Sequence, residues 1–129
     1  MAEAYTSWKS AGGNNVDHIG GNGYEFSYTD ETGETKGAVQ VDYGSLFCKK
    51  EETGYDCFIP MMPESNDILI THGHADHMGG LGHLMNLKRA ELEEKRAKGE
   101  NLTVHCTAFA EKLIKNSLLS TGIRKEEFP

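Results

Sequence analysis

The chain has few of the features that mark several common protein classes. It has only three cysteines in 129 residues, at positions 48, 57 and 106, and none of them forms a C-x-x-C pair. An odd number at wide spacing excludes a disulfide framework and a zinc finger. No apolar run approaches the roughly 20 residues of a membrane span, and the N-terminus lacks the apolar core of a secretory signal. We therefore predict a cytoplasmic protein with no membrane partner.

Basic residues are also scarce. The chain has 13 Lys and Arg against 20 Asp and Glu, a formal net charge of −7. This balance argues against broad, non-specific binding to nucleic acid or to an anionic membrane. A chain of this length is one ordinary domain that can bury about two-thirds of its unfolded surface. We therefore treat residues 1–129 as a single domain unit.

The first part of the chain predicts a sheet. Two strand-like segments, "NGYEFSYTD" and "TKGAVQVDYG", flank the turn sequence "ETGE", which indicates a β-hairpin. Residues 45–66 mix charges, glycine and proline and are interpreted as a long loop that crosses the sheet. The next segment, "DILIT", has consecutive apolar residues, which is typical of a strand covered on both faces.

The second part predicts helices. Apolar spacing from Met78 to about Lys98 indicates one amphipathic helix, and "LTVHC" indicates another strand. Thr107 can cap a last helix that ends at Gly122. The apolar side of that helix contains Phe109, Leu113, Ile114 and Leu118. The predicted fold class is therefore α/β, of the α+β type, with a sheet covered by helices.

Half of the six histidines lie in one short segment, "THGHADH", residues 71–77. His72 and His74 are two apart, so in an extended backbone their imidazoles project to the same side and can bind one cation at about 2.0–2.1 Å. Asp76 and His77 lie past a turn and can face a second cation about 3.5–4 Å from the first. The alternative is a chance cluster of polar residues on a loop between strand and helix. We favour a metal site.

The surrounding residues carry a family resemblance. "THGHADHMGGL" resembles the metal-binding motif of the metallo-β-lactamase superfamily. Upstream, "AGGNNVDHIGGNGYEF", "VQVDYGSLF" and "TGYDCFIP" are similar in order and spacing to the start of the ribonuclease J-like branch, whose members are β-CASP nucleases. Downstream, "VHCTAFAEKLIKNSL" resembles the strand and helix after the motif. The likeness covers about residues 10–120.

This resemblance implies a partial αββα sandwich and a set of roles. His72 and His74 would bind one metal, usually Zn²⁺ with Mn²⁺ as an alternative, and Asp76 and His77 would bind the other. Asp76 would also position the nucleophile as a catalytic residue. Asp42 matches a family aspartate that lies beside the cluster and orients it, as carboxylates behind metal ligands do. The simpler interpretation of Asp42 is a polar residue at a strand end.

The implied chemistry is hydrolysis, because a divalent cation lowers the pKa of the water that it binds to near neutrality. The nuclease-like upstream segments favour RNA or another phosphodiester as the substrate. A small ester, lactone or thioester is the alternative, and it suits the net charge of −7 better.

The chain departs from the family pattern, which requires further histidines and a bridging aspartate that would lie beyond Pro129. Three accounts follow. The chain is the N-terminal part of a hydrolase, or a half that assembles with a separate chain, or a non-catalytic metal-binding remnant that acts as an interaction module. We favour the first, in which the rest of the site is supplied in cis or in trans and this chain alone is inactive. Association with further copies of the same chain, as a homo-oligomer, is a further alternative.

Overall fold

The computed structural model describes residues 5–10, 18–19, 21–45, 47–50, 57–60 and 62–129. The strands in these residues are β1 (Tyr5–Ser10), β2 (His18–Ile19), β3 (Tyr24–Thr29), β4 (Thr35–Val41), β5 (Phe47–Lys50), β6 (Cys57–Pro60), β7 (Asp67–Leu69) and β8 (Thr103–His105). The helices are α1 (Ala75–Met78), α2 (Leu81–Leu87), α3 (Arg89–Ala97) and α4 (Ala108–Ser120), followed by a 3-10 turn at Lys125–Glu127.

The main sheet has five strands in the order β1-β3-β4-β7-β8. The pairs β1–β3 and β3–β4 are antiparallel, whereas β4–β7 and β7–β8 are parallel. The mixed α/β class is therefore confirmed. In the parallel part Val41 pairs with Leu69, and Leu69 pairs with His105. The residues that follow β4 and β7 therefore emerge side by side at one edge of the sheet, where loops commonly carry binding sites.

The predicted hairpin is confirmed, because β3 and β4 pair across a turn at residues 30–34. The Asp30 carboxylate organises this turn by accepting hydrogen bonds from the backbone N–H of Thr32 at 2.9 Å and of Glu34 at 3.1 Å. The hydrogen bond from the Thr32 hydroxyl is the main cause that lowers the pKa of Asp30. Gly33 has φ +84°, a conformation that a residue without Cβ adopts at little cost.

The prediction of a long loop over residues 45–66 is wrong. β5 and β6 pair antiparallel there, and β2 joins β5, so a second, three-stranded sheet is present. Charged residues, one glycine and two prolines interrupt the apolar residues of this segment and obscure the two short strands. Residues 46, 51–56 and 61 lie outside the described part of the chain.

The predicted strand in "DILIT" is present, but the prediction that it is covered on both faces is wrong. Ile68 is fully buried, whereas Leu69 is 44% exposed. The helices pack on the Ile68 face of the sheet. The opposite face exposes Leu69 together with Tyr24, which is in register with it through Val41, and with Phe26 and Tyr28, which alternate with Tyr24 along the same face of β3.

The single helix predicted from Met78 to about Lys98 is also wrong, since three helices occupy this region. The first break follows Gly79, where Gly80 N–H donates to the Tyr43 carbonyl at 3.1 Å. The second is at Lys88, whose φ of −113° and ψ of 23° leave the helical range. The predicted apolar face is correct, because its members are all buried: Leu81, Leu84, Met85 and Leu92.

The last helix has the predicted ends. The Thr107 hydroxyl oxygen accepts from Ala110 N–H at 3.2 Å, and Gly122 follows the helix with φ +86°. Leu118 is buried as predicted, but Phe109 is 73% exposed and Ala110 packs inward in its place. No helix in the described residues is both long and apolar enough to cross a lipid bilayer.

Candidate metal centre

The motif residues follow β7 and enter a one-turn helix. The helical region predicted to begin at Met78 begins at Ala75 instead, so the last two ligand candidates lie on a helix and not on the loop before it. Asp76 and His77 belong to α1, for which His74 is the N-cap residue. The His74 carbonyl accepts from His77 N–H at 2.9 Å and from Met78 N–H at 3.1 Å. This turn carries Asp76 and His77 back toward the two preceding histidines.

The four candidate ligands lie together. The ring centroids of His72 and His74 are 4.6 Å apart, and those of His72 and His77 are 4.1 Å apart. Asp76 Oδ2 lies 3.4 Å from His77 Nε2. The structure therefore brings into one cluster the side chains that were singled out from their spacing.

Asp42 lies behind this cluster, at the end of β4. It is 3% exposed and has φ +61°. Its Oδ1 accepts from the Thr71 backbone N–H at 2.8 Å, and Thr71 Oγ1 lies 2.9 Å from each carboxylate oxygen. Its Oδ2 lies 2.8 Å from His77 Nδ1. Asp42 thus contacts the strand end before the motif and the imidazole within it.

The contact with Asp42 determines which nitrogen of His77 is available. An ionised carboxylate only accepts hydrogen bonds, so the proton lies on Nδ1. In the neutral form of the ring, which is the form that binds a cation, Nε2 carries the lone pair and faces Asp76. A carboxylate behind a histidine in this way sets the tautomer and ring orientation that a metal ligand requires.

Two contributors to this arrangement were not identified from the sequence. Gln40 is buried, and its Nε2 donates to the Asp42 carbonyl at 2.9 Å, which supports the unusual backbone conformation of Asp42. Asn22 Nδ2 lies 2.9 Å from Asp76 Oδ2 and 3.3 Å from His77 Nε2. Gly21 directly before Asn22 is the signal that could have indicated it, because a residue without Cβ permits close backbone approach.

The donor set fits a divalent cation in its chemistry and in part in its geometry. Two ligands at about 2.0–2.1 Å from a tetrahedral Zn²⁺ lie about 3.4 Å apart. Asp76 Oδ2 and His77 Nε2 have this separation. In the described residues no three His, Cys, Asp or Glu side chains are arranged around a common point. His72 and His74 would therefore need new side-chain rotamers to complete a set of ligands around one cation.

One further histidine has a carboxylate partner outside the cluster. His105 Nε2 pairs with Asp67 Oδ1 at 2.9 Å. The side chain of His18 is outside the described part of the chain. Partial burial raises the pKa of the Cys106 thiol, which argues against a reactive thiolate there.

Comparison with known proteins finds a family resemblance in the segment that contains the candidate ligands. A sequence profile described as the Metallo-beta-lactamase superfamily matches residues 66–110, which contain all four candidate ligands. Residues 66–110 are thus similar to the metallo-β-lactamase superfamily. This match supports a hydrolase family that uses divalent metals, whereas Asp42 and Asn22 lie outside the matched range.

The chain is also similar to ribonuclease J 1 of Streptococcus pyogenes serotype M3, with 29% identity over 115 residues. The match covers 84% of this chain but only 17% of the relative. The chain thus spans about one-sixth of the length of the curated relative that it matches.

Proposed function

We propose that this metallo-β-lactamase-type chain contributes the first ligand cluster to a metal-dependent phosphodiesterase that acts on RNA or a related nucleotide. One observation carries the proposal: Asp42 holds Nδ1 of His77 at 2.8 Å, while Nε2 of the same ring lies 3.4 Å from Asp76 Oδ2. A purely structural His–Asp pair would not need a second carboxylate at the separation of two tetrahedral ligands.

In this proposal each side chain has a defined task. His72 and His74 supply imidazole donors to one cation, and Asp76 and His77 supply an oxygen and a nitrogen to the other. Bound divalent cations supply an acidified water molecule and polarise the electrophile under attack. Asp76 has a second carboxylate oxygen that can accept a hydrogen bond from the attacking water and so orient it. Asp42 keeps the His77 ring in the required tautomer.

The four donors are too few for two cations. Each cation in such sites takes about four ligands, of which a catalytic site leaves at least one open to water or substrate. We therefore propose that residues 1–129 are one part of the hydrolase domain, and that further ligands come from another segment or another chain. By this proposal the chain alone binds one cation more readily than two.

Similarity to ribonuclease J 1 supports a phosphodiester as the substrate. A small ester, lactone or thioester is the second candidate, and one observation favours it. The net charge of −7 offers little general attraction for a polyanion. Phosphodiester binding would then depend on the cations themselves and on basic residues outside this chain.

Calorimetric titration of the purified chain with Zn²⁺ and with Mn²⁺ tests the metal part of the proposal. We expect saturable binding that is lost when the four candidate ligands are replaced. Hydrolysis assays on single-stranded RNA and on a chromogenic ester, with this chain joined to or mixed with the remainder of the domain, test the substrate. Turnover of the ester alone would favour the second candidate. Absence of metal binding by the chain would contradict the proposal.

A further inference from the structure

We infer that Asn22 is a positioning residue for the metal centre. Its side-chain amide holds Asp76 and His77 at a coordinating separation before a cation arrives, and then releases His77 while it keeps Asp76. This inference rests on the proposed function, since it assigns a role to Asn22 in the same site. Asn22 lies 54 positions before Asp76 and outside the segment that matches the superfamily profile.

The amide nitrogen of Asn22 bridges the two candidate ligands. It lies 2.9 Å from Asp76 Oδ2 and 3.3 Å from His77 Nε2, and these two acceptors are themselves 3.4 Å apart. An amide NH₂ group has two donors, so it can serve both acceptors at once. The bridge therefore maintains the separation of about 3.4 Å that two ligands of a tetrahedral Zn²⁺ require.

The backbone of Asn22 is anchored at the same place as its side chain. Asn22 N–H donates to the Asp76 carbonyl at 2.7 Å, and the Asn22 carbonyl accepts from Gly44 N–H at 3.0 Å. A Cβ atom on Gly21 would lie 2.5 Å from the Asp76 carbonyl oxygen, so only glycine permits this approach. The chain thus delivers Asn22 to Asp76 by main-chain contacts that do not depend on the amide.

The two acceptors, His77 Nε2 and the Asp76 carboxylate, differ in the number of partners that each can bind at once. Cation binding requires a neutral His77 ring, and with Asp42 Oδ2 2.8 Å from Nδ1 to accept its proton, that ring has a single lone pair on Nε2. That lone pair cannot serve both the Asn22 amide and a cation. The Asp76 carboxylate has about four acceptor sites and can keep the Asn22 hydrogen bond while it binds a cation. Loading the site therefore breaks one of the two amide contacts and preserves the other.

The preserved contact favours binding because it already orders the Asp76 carboxylate in the metal-free chain, so less side-chain freedom is lost when a cation binds. The hydrogen bond to the ionised carboxylate is the shorter of the two and is charge-assisted, whereas the contact with the neutral ring is long. Asn22→Ala should therefore lower Zn²⁺ affinity rather than raise it. The expected loss is on the order of tenfold, as for other groups that orient metal ligands.

Two measurements test this role. Calorimetry compares Zn²⁺ affinity of the wild-type chain, Asn22→Ala and the control Asn86→Ala, which removes an amide that donates to the Thr121 carbonyl at 2.7 Å. Long-range ¹H–¹⁵N NMR of the chain without metal follows the two ring nitrogens of His77. We expect Asn22→Ala to shift Nε2 toward the value of a nitrogen without a hydrogen bond and to leave Nδ1 unchanged. Asn86→Ala should change neither affinity nor ring shifts.

The outcomes separate this inference from the proposed function. If the wild-type chain binds no Zn²⁺, the proposed function fails and this inference fails with it. If the wild-type chain binds Zn²⁺ and Asn22→Ala binds it equally well, or if the Nε2 shift does not move, the inference alone is overturned. Circular dichroism checks the fold of each variant. Asn22→Ser, which shortens the side chain but retains a polar group, serves in the same two measurements if Asn22→Ala does not fold.

Discussion

Nδ1 of His77 lies 2.8 Å from Oδ2 of Asp42, although 35 positions separate the two residues in the chain. The contact joins the end of β4 to the first turn after the motif. Asp42 also binds Thr71, so one buried carboxylate ties together both sides of the segment that contains the candidate ligands. The local geometry of this segment is therefore set by a residue outside it.

Replacing this carboxylate should weaken metal binding without removing a ligand. Asparagine tolerates the positive φ of position 42 and keeps one oxygen, so Asp42→Asn removes charge and acceptor capacity with little backbone strain. We expect Zn²⁺ affinity to fall by about 10–100-fold. The matched control is Asp67→Asn, which alters a carboxylate that pairs with His105 at 2.9 Å outside the cluster. Equal affinity of Asp42→Asn and wild type in calorimetry would remove Asp42 from the site.

The paired histidines before α1 should be required for binding. The double substitution His72→Ala with His74→Ala removes two of four donors, and we expect no measurable Zn²⁺ binding in calorimetry. The control double variant, His83→Ala with His105→Ala, removes the same number of imidazoles and should bind like the wild type. If the first double variant retains full affinity, the assignment of these two residues as ligands is incorrect.

Replacing Gly44 with alanine should disturb the candidate metal site by displacing the backbone of Asp76. A Cβ atom there would collide with the Asp76 carbonyl oxygen and with the backbone of Gly21 and Asn22. All three neighbours are main chain, so we expect Gly44→Ala to lower the free energy of unfolding by about 1–3 kcal/mol. Zn²⁺ affinity should fall in parallel, because Asp76 must move.

Gly37→Ala is the matched control for this variant, because no heavy atom lies within 4 Å of a Cβ built there. Its unfolding free energy should stay within about 0.5 kcal/mol of the wild type. Urea denaturation measures the free energy of unfolding of both variants. A Gly44→Ala chain as stable as Gly37→Ala would show that the close contact relaxes without cost.

The chain alone should not hydrolyse RNA or a chromogenic ester at an appreciable rate in the presence of Zn²⁺ or Mn²⁺. Its four candidate ligands do not constrain two cations to within the roughly 0.5 Å that catalysis requires. Hydrolysis assays of the wild-type chain and of Asp76→Ala, each with and without a chelator, measure this rate. Chelator-sensitive turnover by the purified chain that disappears in Asp76→Ala would contradict the prediction that further ligands are needed.

Local signals were sufficient for several elements of the fold. The β3–β4 hairpin follows from strand-like segments around a turn sequence, and the cap at Thr107 follows from residue type and position. The apolar spacing of the central helices identified their buried side correctly. These features depend on interactions between residues a few positions apart, which a single sequence displays directly.

Other elements depended on contacts that the sequence does not display. The helix after the motif is interrupted near Gly80, because its backbone donates to the Tyr43 carbonyl across the fold. Leu69 is exposed although its neighbours in sequence are apolar, because the helices cover only the other face of the sheet. Periodicity indicates which side chains prefer burial but not which sheet face receives a covering layer.

By itself the sequence determined which donor groups are available, since His72, His74, Asp76 and His77 place three imidazoles and a carboxylate within six positions. The tertiary structure decided how those donors are oriented. Asp42 and Asn22 approach the cluster from 35 and 54 positions away, and each contact orients one group: the His77 ring by Asp42 and the Asp76 carboxylate by Asn22. A hydrogen bond requires its atoms to lie about 3 Å apart, regardless of their separation along the chain. The fold meets this requirement because the parallel strands β4 and β7 end at one edge of the sheet.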